Sequence, residues 1–407
     1  MKILYLNTTG ILGGAELCLL DVLASLRGAR PDWRPRVVLG EAGPLGEAVA
    51  ALGVPCEVVP LPARMAALGD AGLRDGRGGR LRLVSHAPVA AVTTAAYVAR
   101  LRRVVCLAGP DLVQTNGMKA HVLGAWATPR NVPVIWHLHD YVSSRLIMSR
   151  LLRLTSRRGV SAVAVSRSVA ADATGALGPS VPVIAIHNAV DLDRFTPGPG
   201  DGAMLDSAAA LPLAPPGTLR VGLVATFATW KGHDVFLEAA ARIAADRPCR
   251  FYIVGGPLYR SAGSQRTIED LTARAEALGL RGRLGFPGYQ ADPAAAIRAL
   301  DVVVHASTRP EPFGRVIVEA LACGRPTIAV LDGGAAELFD DGRTALGCPP
   351  GDPDALASAI DRLLIDPDLR QRLAEAGRAA AVAHFDRGRL MNYWLPVYEQ
   401  PDRFLAN

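Results

Sequence analysis

The residues with the most chemical potential lie in one short block, Ser307-Thr-Arg-Pro-Glu-Pro-Phe-Gly-Arg-Val-Ile-Val-Glu-Ala320. It follows an apolar run at 302–305 that reads as a strand, and it leads into a helical pattern over 315–322. The helix is expected to open near Gly314. The backbone N–H groups of Phe313, Gly314, Arg315 and Val316 then surround its positive end and form an anion site. Glu311 lies in the loop before this mouth, and Glu319 lies eight residues later, inside the helix. A carboxylate on the helix suits the vicinal diol of a sugar, and one on the loop suits another hydroxyl, because ionised carboxylates accept hydrogen bonds. Phosphate at the helix end and hydroxyls on carboxylates is chemistry fit for a nucleotide sugar. Two Glu alone read more readily as a loop residue and an exposed helix charge; the complete block carries the functional reading.

These residues must be positioned by regular elements, and the chain alternates them. Short aliphatic runs at 2–6, 36–39, 56–59, 112–115, 134–138, 163–165 and 183–186 read as strands, separated by Ala- and Leu-rich helical stretches such as 15–26 and 90–107. The pattern breaks at 196–217, where five Pro and four Gly read as a linker. It restarts with strands at 219–224, 251–254, 283–286, 302–305, 326–330 and 345–348, and with helices at 234–244, 267–278 and 315–322. The fold class is α/β: two doubly wound parallel units that bind ligands beyond the carboxyl ends of their strands, with a cleft expected between them. Residues 64–82 read as a Gly/Arg-rich loop, and 143–158 as an amphipathic helix with Ile147, Leu151 and Leu154 on one face and Arg150, Arg153 and Arg157 on another.

Composition narrows the classes. The 407 residues are 50% hydrophobic and 20% charged, which excludes disorder as the main state and fits two or three domains. Six scattered Cys, without a CxxC pair, argue against a disulfide scaffold or a zinc module; they read as small buried hydrophobes in a reducing compartment. The longest apolar stretch, 83–99, is interrupted by His86, Pro88, Thr93 and Thr94, so no membrane span is expected. The N-terminus does not read as a signal peptide, and a cytoplasmic protein is expected. Residues 1–190 carry 21 basic and 11 acidic side chains, a net +10, against −4 for the rest, so the two units are expected to meet different partners. No nucleic-acid partner is expected.

Several segments, in order, resemble glycosyltransferase family 4, retaining enzymes of GT-B architecture with two Rossmann-like domains facing a central cleft. They are Gly13-Gly14-Ala15-Glu16, His139-Asp140, Asn188-Ala-Val-Asp-Leu-Asp-Arg-Phe195, Trp230-Lys-Gly-His-Asp-Val-Phe-Leu-Glu-Ala239, the Glu311-x7-Glu319 block, Gly333-Gly-Ala-Ala-Glu337 and Asp341-Gly-Arg-Thr-Ala-Leu-Gly347. The resemblance implies that Glu319 holds the nucleotide ribose, that Glu311 touches the donor sugar beside the Phe313 and Gly314 amides, and that Lys231 binds the diphosphate. A fixed cation there acts most strongly as the leaving diphosphate gains charge. It further implies that His139 sits near the reacting sugar, that Gly256 lines the donor site, and that Gly288 meets the nucleobase. Gly13 and Gly14 are implied to face donor phosphates or acceptor, since glycine lets a ligand approach the backbone; a simple tight turn is the plain alternative, and the incomplete GxGxxG supports no dinucleotide cofactor. His137, two residues before His139, reads as structural.

The domain expectation is 1–195 for acceptor, 196–217 linker, 218–386 for donor, and 387–407 crossing back to the first domain. One departure stands out: Ala225-Thr226 occupy the place of a Gly-Arg whose Arg binds phosphate in the family, and Arg309 or Arg315 is the expected substitute. Asp191-Leu-Asp193 imitates a metal-binding Asp-x-Asp but falls in the hinge-like segment, where Asp turns the backbone. No essential metal is expected, and no cofactor beyond a UDP- or GDP-sugar donor. The acceptor is a glycan, a lipid-linked intermediate or a small metabolite. For the helix at 143–158, plain packing competes with peripheral adhesion to an anionic membrane at the inner face. A phosphorylase-like enzyme is disfavoured because no pyridoxal-phosphate lysine context is apparent. The rival from another class is a sugar-nucleotide-binding scaffold without turnover, which Thr226 favours.

Overall fold

The computed structural model describes residues 1–63, 65, 76–257 and 265–401, with side chains described outside 76–90. The chain divides into two compact units, Met1–Asn188 with Arg387–Asn407, and Ala189–Asp386.

The first unit is built on a seven-stranded sheet of β1 (Lys2–Asn7), β2 (Arg34–Leu39), β3 (Cys56–Val58), β4 (Leu112–Asn116), β5 (Val134–Leu138), β6 (Val160–Ala164) and β7 (Val183–Ala185). All pairings are parallel, in the order β3-β2-β1-β4-β5-β6-β7. Every residue of β4, β5 and β6 is buried, as central parallel strands covered on both faces must be. Each expected strand is present. The largest difference is at β6, which begins at Val160 rather than 163 because Ser161, a break in the apolar run, is itself buried in the sheet.

Three local expectations are corrected. Part of the loop expected at 64–82 is helix, since one long helix runs Gly76–Ala108; residues 64 and 66–75 lie outside the described residues. Propagation from the Ala- and Val-rich segment carries the helix through its glycines, because extending a formed helix is far easier than nucleating one. The amphipathic segment at 143–158 forms a helix over Leu146–Thr155, but it buries Leu152 and Thr155 and leaves Leu146, Ile147, Leu151 and Leu154 exposed. All six cysteines are free; four are buried, but Cys56 is half-buried and Cys106 is exposed. Among the described residues no helix is long and apolar enough to cross a membrane.

The helix Leu390–Glu399 packs into the first unit. Trp394 and Tyr398 are buried, the Tyr398 hydroxyl donates to Gln114 Oε1 at 2.7 Å, and Arg30 holds Glu399 at 2.7 Å.

The second unit has a six-stranded parallel sheet of β8 (Leu219–Val224), β9 (Cys249–Val254), β10 (Leu284–Gly288), β11 (Val302–His305), β12 (Thr327–Val330) and β13 (Leu346–Cys348), in the order β10-β9-β8-β11-β12-β13. The Pro/Gly-rich stretch expected as a linker is folded onto this unit, which begins at Ala189 rather than at 218. The reason is a buried charge. Asp206, in the helix Gly202–Ala208, accepts from Arg220 at 2.8 Å, Arg250 at 2.9 Å, the Ala214 amide at 3.0 Å and the Tyr252 hydroxyl. Burial alone would raise its pKa, but these donors bring it down to about 2.

In each sheet the strand order reverses beside the unit's first strand, at β1/β4 and at β8/β11. Loops leave such a junction in opposite directions and open a crevice at the carboxyl ends of the strands.

Candidate functional site

The block singled out in the sequence leaves β11 at the β8/β11 junction, and Lys231 follows β8 into the same place. Lys231 Nζ donates to Glu311 Oε1 at 2.9 Å and to Oε2 at 2.7 Å. Two positions 80 residues apart are thus one ion pair, with side chains only 22% and 12% exposed. Ser307 Oγ donates to Glu311 Oε2 at 2.7 Å, and His305 Nε2 lies 3.5 Å from the same oxygen. Burial pushes the Glu311 carboxyl up, but the Lys231 charge and the His305 and Lys231 hydrogen bonds outweigh it and hold the group below its ordinary value. The backbone of Glu311 is fixed as well: its carbonyl accepts from the Gly334 amide at 2.7 Å, which joins the Gly333-Gly334 loop to the site.

The glycine of the Lys231-Gly232 pair is a packing requirement. Gly232 has φ +76°, and a Cβ there would lie 1.8 Å from the Ala306 carbonyl oxygen. Only glycine lets the Lys231 turn lie against the end of β11. Gly314 is also left-handed, at φ +89°, and caps the helix Arg315–Ala322 without a side-chain hydrogen bond. The first turn of that helix, which begins four residues after Glu311, therefore has N–H groups without an intrahelical partner. Phe313 is buried and meets Phe385 edge-on, with ring centroids 6.3 Å apart. Val316 is half-buried.

Glu319 is buried, and Arg315 Nε donates to it at 2.8 Å, one helical turn away. Arg315 also donates to the Ala189 carbonyl at 3.3 Å, so its fork is engaged on two sides. Arg309 is exposed and has no ion pair among the described residues. Thr226 has a buried hydroxyl without a partner. Gly256 and Gly288 lie at the carboxyl ends of β9 and β10, where the Gly255 amide donates to the Gly288 carbonyl at 3.0 Å. Asp191 Oδ1 accepts from the amides of Asp193 at 3.1 Å and Arg194 at 3.3 Å, so it turns the backbone. Among the described residues no group of three or more His, Cys, Asp or Glu is disposed to hold a metal.

Gly13, Gly14 and His139 belong to the first unit, at its own β1/β4 junction and the end of β5. Gly13 precedes the helix Gly14–Ala29, and its amide donates to Glu16 Oε2 at 3.2 Å. A Cβ on Gly14 would meet nothing within 4 Å, so the fold itself does not demand glycine there. His139 Nε2 lies 2.5 Å from Asn116 Oδ1. His137 is fully buried beside it with both ring nitrogens unpartnered, and Trp394 meets its ring edge-on at 4.9 Å. Sequence reasoning missed His305, Ser307, Asn7 and Asn116. Each is a polar residue at, or just past, the end of an aliphatic strand, and that is the signal that marks a sheet's functional edge.

Two doubly wound parallel units, with a cation–carboxylate pair and an open helix end at the second unit's switch point, define a protein of the GT-B fold. Comparison with known proteins agrees. The model for glycosyl transferases group 1 matches residues 212–380, and the model for Glycosyltransferase Family 4 matches residues 44–194. The lipopolysaccharide core biosynthesis glycosyltransferase LpsE of Rhizobium meliloti (strain 1021) is 32% identical over 197 residues, 48% of this chain and 52% of that protein. D-inositol 3-phosphate glycosyltransferase of Mycobacterium sp. (strain KMS) is 36% identical over 197 residues, 48% of this chain and 42% of that protein. The alignments therefore span about half the length of these curated relatives. Among solved structures, Anabaena Alr3699/HepE in complex with UDP is 28% identical with a TM-score of 0.79, covering 98% of this chain and 100% of that one. The chain is thus similar to glycosyltransferase family 4, with one model matching each of its two parts.

Proposed function

We propose that the protein is a retaining glycosyltransferase that moves a sugar from a nucleotide-diphosphate donor to a hydroxyl of a glycan, a lipid-linked intermediate or a small metabolite. The observation that carries this reading is the Lys231–Glu311 pair beside the open end of the helix Arg315–Ala322. An ammonium has three protons. Two point at Glu311, which leaves one for a phosphoryl oxygen of the donor. A carboxylate has about four lone-pair sites. Lys231 and Ser307 hold that carboxylate from one side, which orients it toward a sugar hydroxyl of the donor. One pair thus grips both halves of a sugar diphosphate. As the glycosidic bond breaks, charge accumulates on the leaving diphosphate, where Lys231 and the helix N–H groups of Gly314, Arg315 and Val316 stabilise it. Front-face displacement needs no protein nucleophile, so positioning and charge stabilisation carry the rate.

Glu319 is assigned to the ribose hydroxyls, with Arg315 holding its carboxylate in place. Gly256 and Gly288 are assigned to the sugar-nucleotide side, with the second unit as donor unit and the basic first unit as acceptor unit, in which His139 and the Gly13-Gly14 loop contact substrate. The complex of Anabaena Alr3699/HepE with UDP-glucose, a chain 27% identical, supports a uridine donor. Arg309 supplies the second phosphate cation in place of the Arg that Thr226 replaces, since Arg315 is engaged by Glu319 and the Ala189 carbonyl. No metal is required.

Leu146, Ile147, Leu151 and Leu154 are exposed on the helix that also carries Arg150 and Arg153, with Arg157 just beyond it. That combination supports peripheral contact with an anionic membrane at its inner face, where apolar side chains insert and arginines meet acidic headgroups. A thermal-shift screen of nucleotide sugars, followed by separate assays of donor hydrolysis and transfer with and without a chelator, tests the reading. A stabilising donor that is also transferred is the expected result; tight binding with neither hydrolysis nor transfer would identify a scaffold.

A further inference from the structure

The first unit holds a chain of buried amides that the proposed function does not use. Asn7 ends β1 and Asn116 ends β4, and the two are direct partners in the parallel register. Both are buried, at 4% and 1% exposure, which is unusual for asparagine and requires every polar atom to be satisfied. Their amide orientations are fixed by backbone carbonyls, which can only accept. Asn7 Nδ2 donates to the Thr9 carbonyl at 2.8 Å and to Glu16 Oε1 at 3.4 Å, so its Oδ1 faces Asn116. Asn116 Nδ2 donates to Asn7 Oδ1 and to the Ala15 carbonyl, each at 3.3 Å, so its Oδ1 faces His139. An oxygen that can only accept sits 2.5 Å from His139 Nε2, and that nitrogen must therefore carry the proton. In a neutral imidazole the other nitrogen, Nδ1, is then a lone pair, and no described residue meets it.

We propose that Asn7 and Asn116 are positioning residues that lock His139 as the Nε2–H tautomer, so that its Nδ1 accepts a hydrogen bond from a substrate sugar hydroxyl. The inference rests on the reading that His139 lies in the substrate site. The same chain reaches the Gly13-Gly14 loop, because Glu16 accepts from Asn7 with one oxygen and from the Gly13 amide with the other. Ring tautomer and loop position are therefore set together. Burial brings the His139 pKa down to about 3, so the ring orients the hydroxyl and does not act as its base near neutral pH. The titratable groups around it are His137, with ring centroids 4.0 Å apart, His121, Glu16 through Asn7, and Asp140, which pairs with Arg145 at 3.5 Å.

Nitrogen-15 spectra of the full chain labelled at histidine read the tautomer without needing turnover. The wild type should show His139 protonated at Nε2, bare at Nδ1 and silent between pH 5 and 8. Asn116→Ala should mix the tautomers and lower kcat about tenfold, with donor KM changed far less. Asn116→Asp restores an acceptor at Nε2 and adds a charge, so it should recover the tautomer and bring the His139 titration up toward neutrality. If that variant fails to fold, Asn7→Ala, which frees one end of the chain, should give partial mixing and an intermediate kcat. A wild-type ring protonated at Nδ1, or a folded Asn116→Ala with unchanged tautomer and kcat, overturns the proposal. Full activity in His139→Ala would instead sink the reading on which it rests.

Discussion

Replacing Lys231 by methionine keeps an unbranched apolar stem and removes the terminal ammonium with its charge. Two consequences can be worked out. Glu311 would remain 12% exposed, with Ser307 and His305 still beside it. Breaking a fully buried pair costs about 3–5 kcal/mol; with those partners retained, Lys231→Met should cost about 2 kcal/mol at pH 7. The sign of the pH dependence separates this from a generic packing loss. In the wild type the Glu311 carboxyl is held below its ordinary 4.5, so its contribution is present above that pH and is lost as pH falls below it. Without Lys231 the largest influence lowering the carboxyl is gone while burial still raises it, so the variant's Glu311 should protonate at higher pH than the wild type's. The stability gap should therefore narrow from pH 7 toward pH 4, as read by urea unfolding at several pH values. Loss of the cation facing the leaving diphosphate should also lower kcat by about 10²–10³. A gap independent of pH, together with a kcat within about threefold of wild type, would refute the assigned role of the pair.

Other expectations concern different parts of the chain. Gly232→Ala forces a Cβ to within 1.8 Å of the Ala306 carbonyl oxygen at φ +76°, and should cost at least about 2 kcal/mol along with most of the activity. Gly14→Ala meets nothing within 4 Å, so melting should be unchanged or slightly improved while kcat/KM falls if substrate approaches that loop. Asp206→Asn should destabilise by about 3 kcal/mol, because it leaves Arg220 and Arg250 without their carboxylate. The wild-type share from the depressed pKa, about 2 kcal/mol, should be present above pH 3.8 and fade toward pH 2, as acid titration of unfolding will show. Flotation with anionic vesicles should retain the wild type, release a protein with Arg150, Arg153 and Arg157 changed to Gln, and fail with neutral vesicles; equal flotation of both proteins contradicts the assigned surface.

Much of the fold was legible in the sequence because parallel strands buried on both faces leave unbroken apolar runs, as in β4, β5 and β8. The residues that meet in the second unit were also legible, since Glu311, Gly314 and Lys231 stand in contiguous, patterned segments. What was not legible depends on long-range pairing. Asp206 makes a folded segment out of a Pro/Gly-rich stretch only through arginines on β8 and β9. Asn7 and Asn116 are 109 positions apart and acquire meaning only when β1 and β4 pair in register. The helix Leu146–Thr155 shows the converse: its amphipathic spacing pointed to a buried apolar face, and the face that is buried is the one with Leu152 and Thr155.

If the Lys231–Glu311 pair at the β8/β11 junction grips the diphosphate of the donor, UDP affinity must depend on the Lys231 ammonium. Calorimetric titration of UDP into the wild-type chain and into Lys231→Met tests it most directly. The wild type should bind UDP saturably, and the substitution should weaken binding at least about tenfold. Equal affinity in two folded proteins would contradict it.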